Sequence, residues 1–139
     1  MKFYVIHEII SYKNPKFGNG HAYSDERVKE YQEFISWSAK KYMMRNNLVA
    51  LDGAIKLSIV AYFKIPKSFK KSIIKLISDG DYPHIVKPDC TNIQKGVEDA
   101  LKDICFKDDS SVIDIRTRKE YRKNIGQESY IDIEIIGAN

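Results

Sequence analysis

Between Ala54 and Phe63 the chain alternates Ile55, Leu57, Ile59 and Ala61 with mainly polar neighbours. Successive side chains of a strand project to opposite faces, so this segment reads as a strand with one face on a core and the other toward solvent. Such a strand needs further strands beside it and a second layer over its apolar face. Candidates for the first role lie at the two ends of the chain. Phe3 to Ile10 is rich in β-branched and aromatic residues, Val112, Ile113 and Ile115 form another short run, and Ile131, Ile133 and Ile135 alternate with Asp132, Glu134 and Ile136. The covering layer is supplied by three helical stretches. From about Asp25 to Arg45, Val28, Tyr31, Ile35, Ala39 and Tyr42 recur at helical spacing, with Ser24 as the expected N-cap and Asp25 and Glu26 in the first turn. Phe34 and Trp37, at the margins of that stripe, are expected to be packing groups. Ser68 to Ser78 places Phe69, Ile73, Leu76 and Ile77 opposite a row of lysines and is stopped by Gly80; a third helix runs from Cys90 or Thr91 to about Asp103. Strands and helices interspersed in this way imply an α/β (α+β) fold, a single small domain over residues 1–139 with a mixed sheet packed by about three helices.

A chain of 139 residues, 43% hydrophobic and 30% charged, suits one globular domain with one core. No apolar run approaches the roughly 20 residues that span a bilayer, and the first residues, Met1 to Glu8, lack the features of a secretory signal. Cys90 and Cys105 form neither a disulfide framework nor a CxxC pair, which makes the reducing cytoplasm the default location. His7, His21 and His84 are scattered and read as structural or incidental. No membrane partner and no organic cofactor is implied.

The net charge of +4 favours an anionic partner only slightly, but its distribution says more. Lys64, Lys67, Lys70, Lys71 and Lys75 crowd one segment; Arg116, Arg118, Lys119, Arg122 and Lys123 crowd another. The loop from Ser11 to Gly20 interleaves Lys13 and Lys16 with Tyr12 and Phe17, a combination that can hold phosphates and stack on bases. Solvated surface is the plainer reading of each.

On a helical wheel, Ile93, Val97, Ala100, Leu101 and Ile104 fall toward the core. Asn92, Lys95, Gly96, Asp99 and Asp103 share the opposite arc, with Asp89 where the helix begins. A short turn, Cys105-Phe106-Lys107, leads on to Asp108-Asp109. Such a set suits phosphodiester hydrolysis. Mg²⁺ prefers carboxylates and waters, takes one or two protein carboxylates plus substrate phosphate, and activates water, while a lysine stabilises developing phosphate charge. Asp89, Asp109 and Lys95 supply these parts. Taken singly, Asp89 is equally a helix cap, Asp108-Asp109-Ser110 a polar turn and Lys95 a solvated side chain.

Lys87-Pro88-Asp89-Cys90-Thr91-Asn92-Ile93-Gln94-Lys95, continued by Asp99-Ala100-Leu101 and then by Asp108-Asp109-Ser110-Ser111-Val112, resembles the signature of the RusA family of Holliday junction resolvases, approximately KPDxDNxxKxxxDAL and then DDxQV. The resemblance implies metal binding by Asp89 and Asp109, with Asp108 as a neighbouring acid, and a catalytic role for Lys95. Asp99 then supports the residues around the metal from behind or serves the fold. It also implies Mg²⁺ (with Mn²⁺ as a substitute), four-way or branched DNA as substrate, a homodimer with one acidic site per strand, and a phage or prophage type of protein. Lys13, Lys16, Lys87, Asn92 and Lys95 become candidate DNA contacts. One position departs: the family's second acid falls on Thr91, whose hydroxyl can contact the cation but adds no charge. Either fewer acids bind the metal, or Asp108 or Asp99 makes up the deficit, or the chain is a branched-DNA-binding protein with weak or lost catalysis.

Overall fold

The computed structural model describes residues 1–12, 16–18, 21–23 and 25–138. A four-stranded mixed sheet has the order β1 (Lys2–Ile6), β6 (Tyr130–Gly137), β4 (Ile55–Phe63), β5 (Val112–Tyr121). β6 runs antiparallel to both of its neighbours, and β4 and β5 are parallel. β2 (Lys16–Gly18), inside the stretch expected to be loop, pairs with β3 (His21–Tyr23) just beyond that stretch to form a separate two-stranded ladder.

The alternation along β4 does what its pattern requires. Ile55, Leu57, Ile59, Ala61 and Phe63 are buried, as are Ile131, Ile133 and Ile135 of β6 and Phe3 and Val5 of β1. Two helices cover this face. α1 (Glu26–Arg45) buries Val28, Tyr31, Ile35, Ala39 and Met43, and α3 (Cys90–Leu101) buries Ile93, Gly96, Val97, Ala100 and Leu101. Burial of this apolar surface is the main favourable term for the fold.

Local chemistry sets the helix ends. Asp25 caps α1, its side chain accepting from the Arg27 N–H at 2.9 Å; the expected cap, Ser24, lies outside the described residues, as does Lys13. α2 (Lys71–Ser78) starts later than its apolar pattern, and Gly80 follows it at φ 82°, a conformation glycine adopts without strain. α2 buries only Ile77; Leu76, expected on its buried face, is 40% exposed.

Three further expectations change. The first strand stops at Ile6, short of Ile10. Trp37 is 56% exposed, with the Lys41 ammonium 4.8 Å from its ring centroid, so it contributes to a surface rather than to the core. Gly96, placed by the wheel on the polar arc, is buried because Tyr12 and Tyr31 lie over it: a Cβ there would meet the Tyr12 Cβ at 3.7 Å and the Tyr31 ring at 3.9 Å. No helix among the described residues is long and apolar enough to cross a membrane.

Candidate functional site

β5 is the foundation of the site. Thr117, Lys119 and Tyr121 alternate along it, and each holds a piece of the segment that leads into or forms α3. Tyr121 packs against His84 at 4.8 Å between ring centroids, and His84 stacks on Phe63 at 3.8 Å and 20°. Burial, reinforced by the Lys119 charge, lowers the His84 imidazole to about 4, so it is neutral near pH 7. Lys119 Nζ donates to the carbonyls of Val86 at 2.8 Å and Pro88 at 3.0 Å, across a Lys87–Pro88 peptide that is cis. The lysine therefore anchors the turn that delivers Asp89 to the start of α3. Thr117 Oγ1 donates to Gln94 Oε1 at 3.3 Å, tying the first turns of α3 to the same strand.

Asp89 is the N-cap of α3, its carboxylate accepting from the Asn92 N–H at 2.7 Å. Its second oxygen joins no hydrogen bond or ion pair among the described residues. Asn92 accepts from Ser11 Oγ at 2.8 Å through its own side-chain oxygen, which holds the chain before the β2–β3 ladder against the helix. Thr91 is exposed in the first turn. Lys95 pairs with Asp99 one turn on, at 3.4 Å, and this carboxylate above all raises the Lys95 ammonium, with smaller contributions from Tyr12 and Asp109.

The chain reaches Asp109 through a turn that is firmly fixed. Cys105 and Phe106 are fully buried, the Asp103 N–H donates to the Phe106 carbonyl at 2.8 Å, and the Leu51 N–H donates to the Cys105 carbonyl at 2.8 Å. Asp108 caps the single 3-10 turn Asp109–Ser111 by accepting from the Ser110 N–H at 3.3 Å. Asp109 is different: its Oδ1 is buried and has no hydrogen-bond partner among the described residues. Its charge acts on both Lys95 and Glu98. The Glu98 carboxyl is raised chiefly by burial and further by Asp109 and Asp99, while a hydrogen bond from Gln94 and the Lys95 charge oppose the shift.

The structure thus brings Asp109, Lys95, Asp99 and Glu98 into one electrostatic neighbourhood and sets Asp89 at the helix start, roughly 9 Å along the axis from Lys95. No hydrogen bond or ion pair joins Asp89 to Asp109 among the described residues. Nor, among the described residues, do three or more His, Cys, Asp or Glu side chains gather closely enough to hold a metal ion. The donor chemistry nonetheless suits a hard cation, because a buried carboxylate oxygen without a partner is costly to the fold alone. Lys87 is exposed and shares a groove of about 530 Å³ with Lys64, Lys67 and Pro88. Lys16 opens β2.

Sequence reasoning missed Gln94, Glu98 and Thr117, and it grouped Lys119 with the exposed basic residues. The signal for Thr117 and Lys119 was available: both belong to the alternate set of β5 that includes Tyr121. Glu98 lies two turns beyond Thr91 on nearly the same helical line.

A comparison with protein families matches residues 7–135 to Endodeoxyribonuclease RusA. The uncharacterized protein YqaN of Bacillus subtilis (strain 168) is 28% identical over 127 residues, which cover 87% of this chain and 87% of YqaN. The family match includes the cap of α3, its polar arc and the Asp109 turn within one continuous span. The chain belongs to the RusA endodeoxyribonuclease family.

Proposed function

We propose that this chain is a Mg²⁺-dependent, structure-selective endodeoxyribonuclease that resolves Holliday junctions as a homodimer, with Mn²⁺ able to substitute. The observation that carries the reading is the buried Asp109 oxygen, unpartnered among the described residues, within a chain of this family. Asp109 and the second oxygen of Asp89 would hold the cation. When bound, Mg²⁺ activates water and neutralises charge on the scissile phosphate. Lys95 offers its ammonium to the phosphate, and Asp99 holds that ammonium on the polar arc until DNA arrives. Asn92 fixes the neighbouring loop through Ser11, with its amide left to face the DNA backbone. Lys87, Lys16 and Lys13 add phosphate contacts, which read branched shape and charge rather than base sequence. A two-fold dimer presents one such site to each of two strands.

The test is a labelled synthetic four-way junction incubated with the purified protein. Symmetric nicking in Mg²⁺ or Mn²⁺ and none in EDTA is the expected result. Metal-independent cutting, or equal cutting of linear duplex, would overturn the reading. The exposed Thr91 and the absence of three converging acids among the described residues favour a second reading, a branched-DNA-binding protein with weak cleavage. That reading requires salt-sensitive junction binding without appreciable nicking in either metal.

A further inference from the structure

Between the buried side chains of His84 and Pro88 the chain lifts three residues into solvent. Ile85 is 83% exposed and Val86 58%. Neighbouring side chains outside a helix project to different sides, so exposure of both means that this tip stands clear of the protein body. Two exposed aliphatic groups on a loosely held loop would be ordinary surface. Here the tip is pinned on both sides. His84 stacks on Phe63 at 3.8 Å and packs against Tyr121 at 4.8 Å between ring centroids. Lys119 Nζ holds the carbonyls of Val86 at 2.8 Å and Pro88 at 3.0 Å. The fold thus fixes the backbone beneath an apolar pair that adds nothing to its core. The surroundings say what the tip meets. Lys87 completes it and lines a groove of about 530 Å³ that sets Lys64, Lys67 and Lys87 against Glu8 and Glu128. Asp89 follows three residues after Val86, hence within roughly 11 Å of it along the chain. A substrate phosphate held at Asp89 therefore brings its bases within reach of the tip.

We propose that Ile85 and Val86 form an apolar wedge that enters the branch point of the DNA substrate and unstacks the bases there. The wedge is what makes the site select branched over linear DNA. This inference rests on the resolvase reading of the site, and its test separates the two. An aliphatic side chain inserted between base steps unstacks them at a cost set by the stacking that is lost. Linear duplex imposes that cost in full. It is smallest where pairing is already disturbed, as at the centre of a four-way junction. There the bases cover two side chains that the free protein leaves in water, which favours the complex. Because the tip is already anchored, little ordering is needed on binding. The lysines supply attraction common to any DNA, and the wedge supplies the discrimination.

The measurement is binding to a synthetic four-way junction carrying 2-aminopurine beside the branch point, with the matching linear duplex alongside. It is made in EDTA, where the proposed reaction does not run. The wild type is expected to raise the probe's fluorescence in the junction and not in the duplex. Ile85→Ser combined with Val86→Ser changes only exposed positions, so the fold is expected to persist, with circular dichroism as the check. That variant is expected to abolish the fluorescence rise. It should lose at least about ten-fold of the junction preference, the factor for one buried aliphatic side chain. Its affinity for linear duplex should change less than about two-fold, because the three lysines remain. Ile85→Leu combined with Val86→Leu keeps the apolar bulk and is expected to behave as the wild type. A wild-type fluorescence rise and preference in the serine variant overturn the wedge and leave the resolvase reading standing. An equal loss on junction and duplex does the same, as does a dimer that dissociates in sedimentation only when the tip is changed. A wild type with no preference for the junction overturns both readings.

Discussion

Asp89 and Asp109 sit at opposite ends of the same signature, yet the fold treats them differently. Asp89 accepts the Asn92 N–H and starts α3, a duty that accounts for an aspartate there without any ligand. Asp109 keeps an oxygen buried and unpartnered, and no structural duty accounts for it. The contrast teaches that a residue's place in a motif says little about what its side chain does in the free protein. Asp89 serves the fold, whereas the proposed function gives Asp109 a duty that the fold itself does not.

The largest expected effect away from the acids is on Lys95. Lys95→Met removes the cation proposed to meet the phosphate and should lower cleavage about 10²–10³-fold in single-turnover assays. Its stability should change by less than about 0.5 kcal/mol, because the Asp99 pair is an exposed i,i+4 contact. A comparable loss of stability would show that Lys95 belongs with Asp89 on the structural side of the comparison.

Lys119→Met releases the Val86 and Pro88 carbonyls and should cost about 1–2 kcal/mol in denaturant unfolding. It should also lower cleavage, because the turn that sets Asp89 loses its anchor. Unchanged stability and cleavage would show that the turn is held by other contacts.

Stability also separates the two aspartates directly. Asp89→Ala removes the cap and should cost about 1 kcal/mol, while Asp89→Asn, an equally good cap, should cost little. Asp109→Asn removes a charge with a buried, unpartnered oxygen and should stabilise the metal-free protein by about 1 kcal/mol. Both aspartates destabilising equally on substitution would erase the distinction.

The smallest effect is a pH dependence at His84. Its imidazole is depressed to about 4 in the folded chain from 6.5, so the unfolded chain takes up the proton first. The contribution is fully present above about pH 6.5 and is lost as pH falls toward about 4. His84→Phe keeps the stack on Phe63 and should flatten that decline, measured as unfolding midpoint against pH.

What the sequence disclosed follows the range of the forces involved. The alternation of β4 and β6, the apolar stripes of α1 and α3 and the cap at Asp89 are local patterns found where their periods put them, except at the stripes' ends, where Met43 is buried in place of Tyr42 and Ile104 falls beyond α3. Gly96 was misplaced because its burial comes from Tyr12, distant in sequence. Trp37 was expected to pack, but the sheet beneath is already covered by its neighbours on α1. Glu98 was overlooked because the wheel sorted only the strongly polar and strongly apolar arcs, and it lies half-buried between them, where Asp109 acts on it from beyond the Cys105–Phe106 turn. The buried oxygen of Asp109 could be seen only once the turn anchored by Cys105 and Phe106 was in place.

The most direct test is cleavage of a four-way junction by Asp109→Asn beside the wild type, in Mg²⁺ and with junction binding measured on the same samples. Asp109→Asn is predicted to bind the junction at least as tightly as the wild type and to cut it at least about 100-fold more slowly, since even outer-shell changes cost 10–100-fold. Cleavage at the wild-type rate would contradict the account.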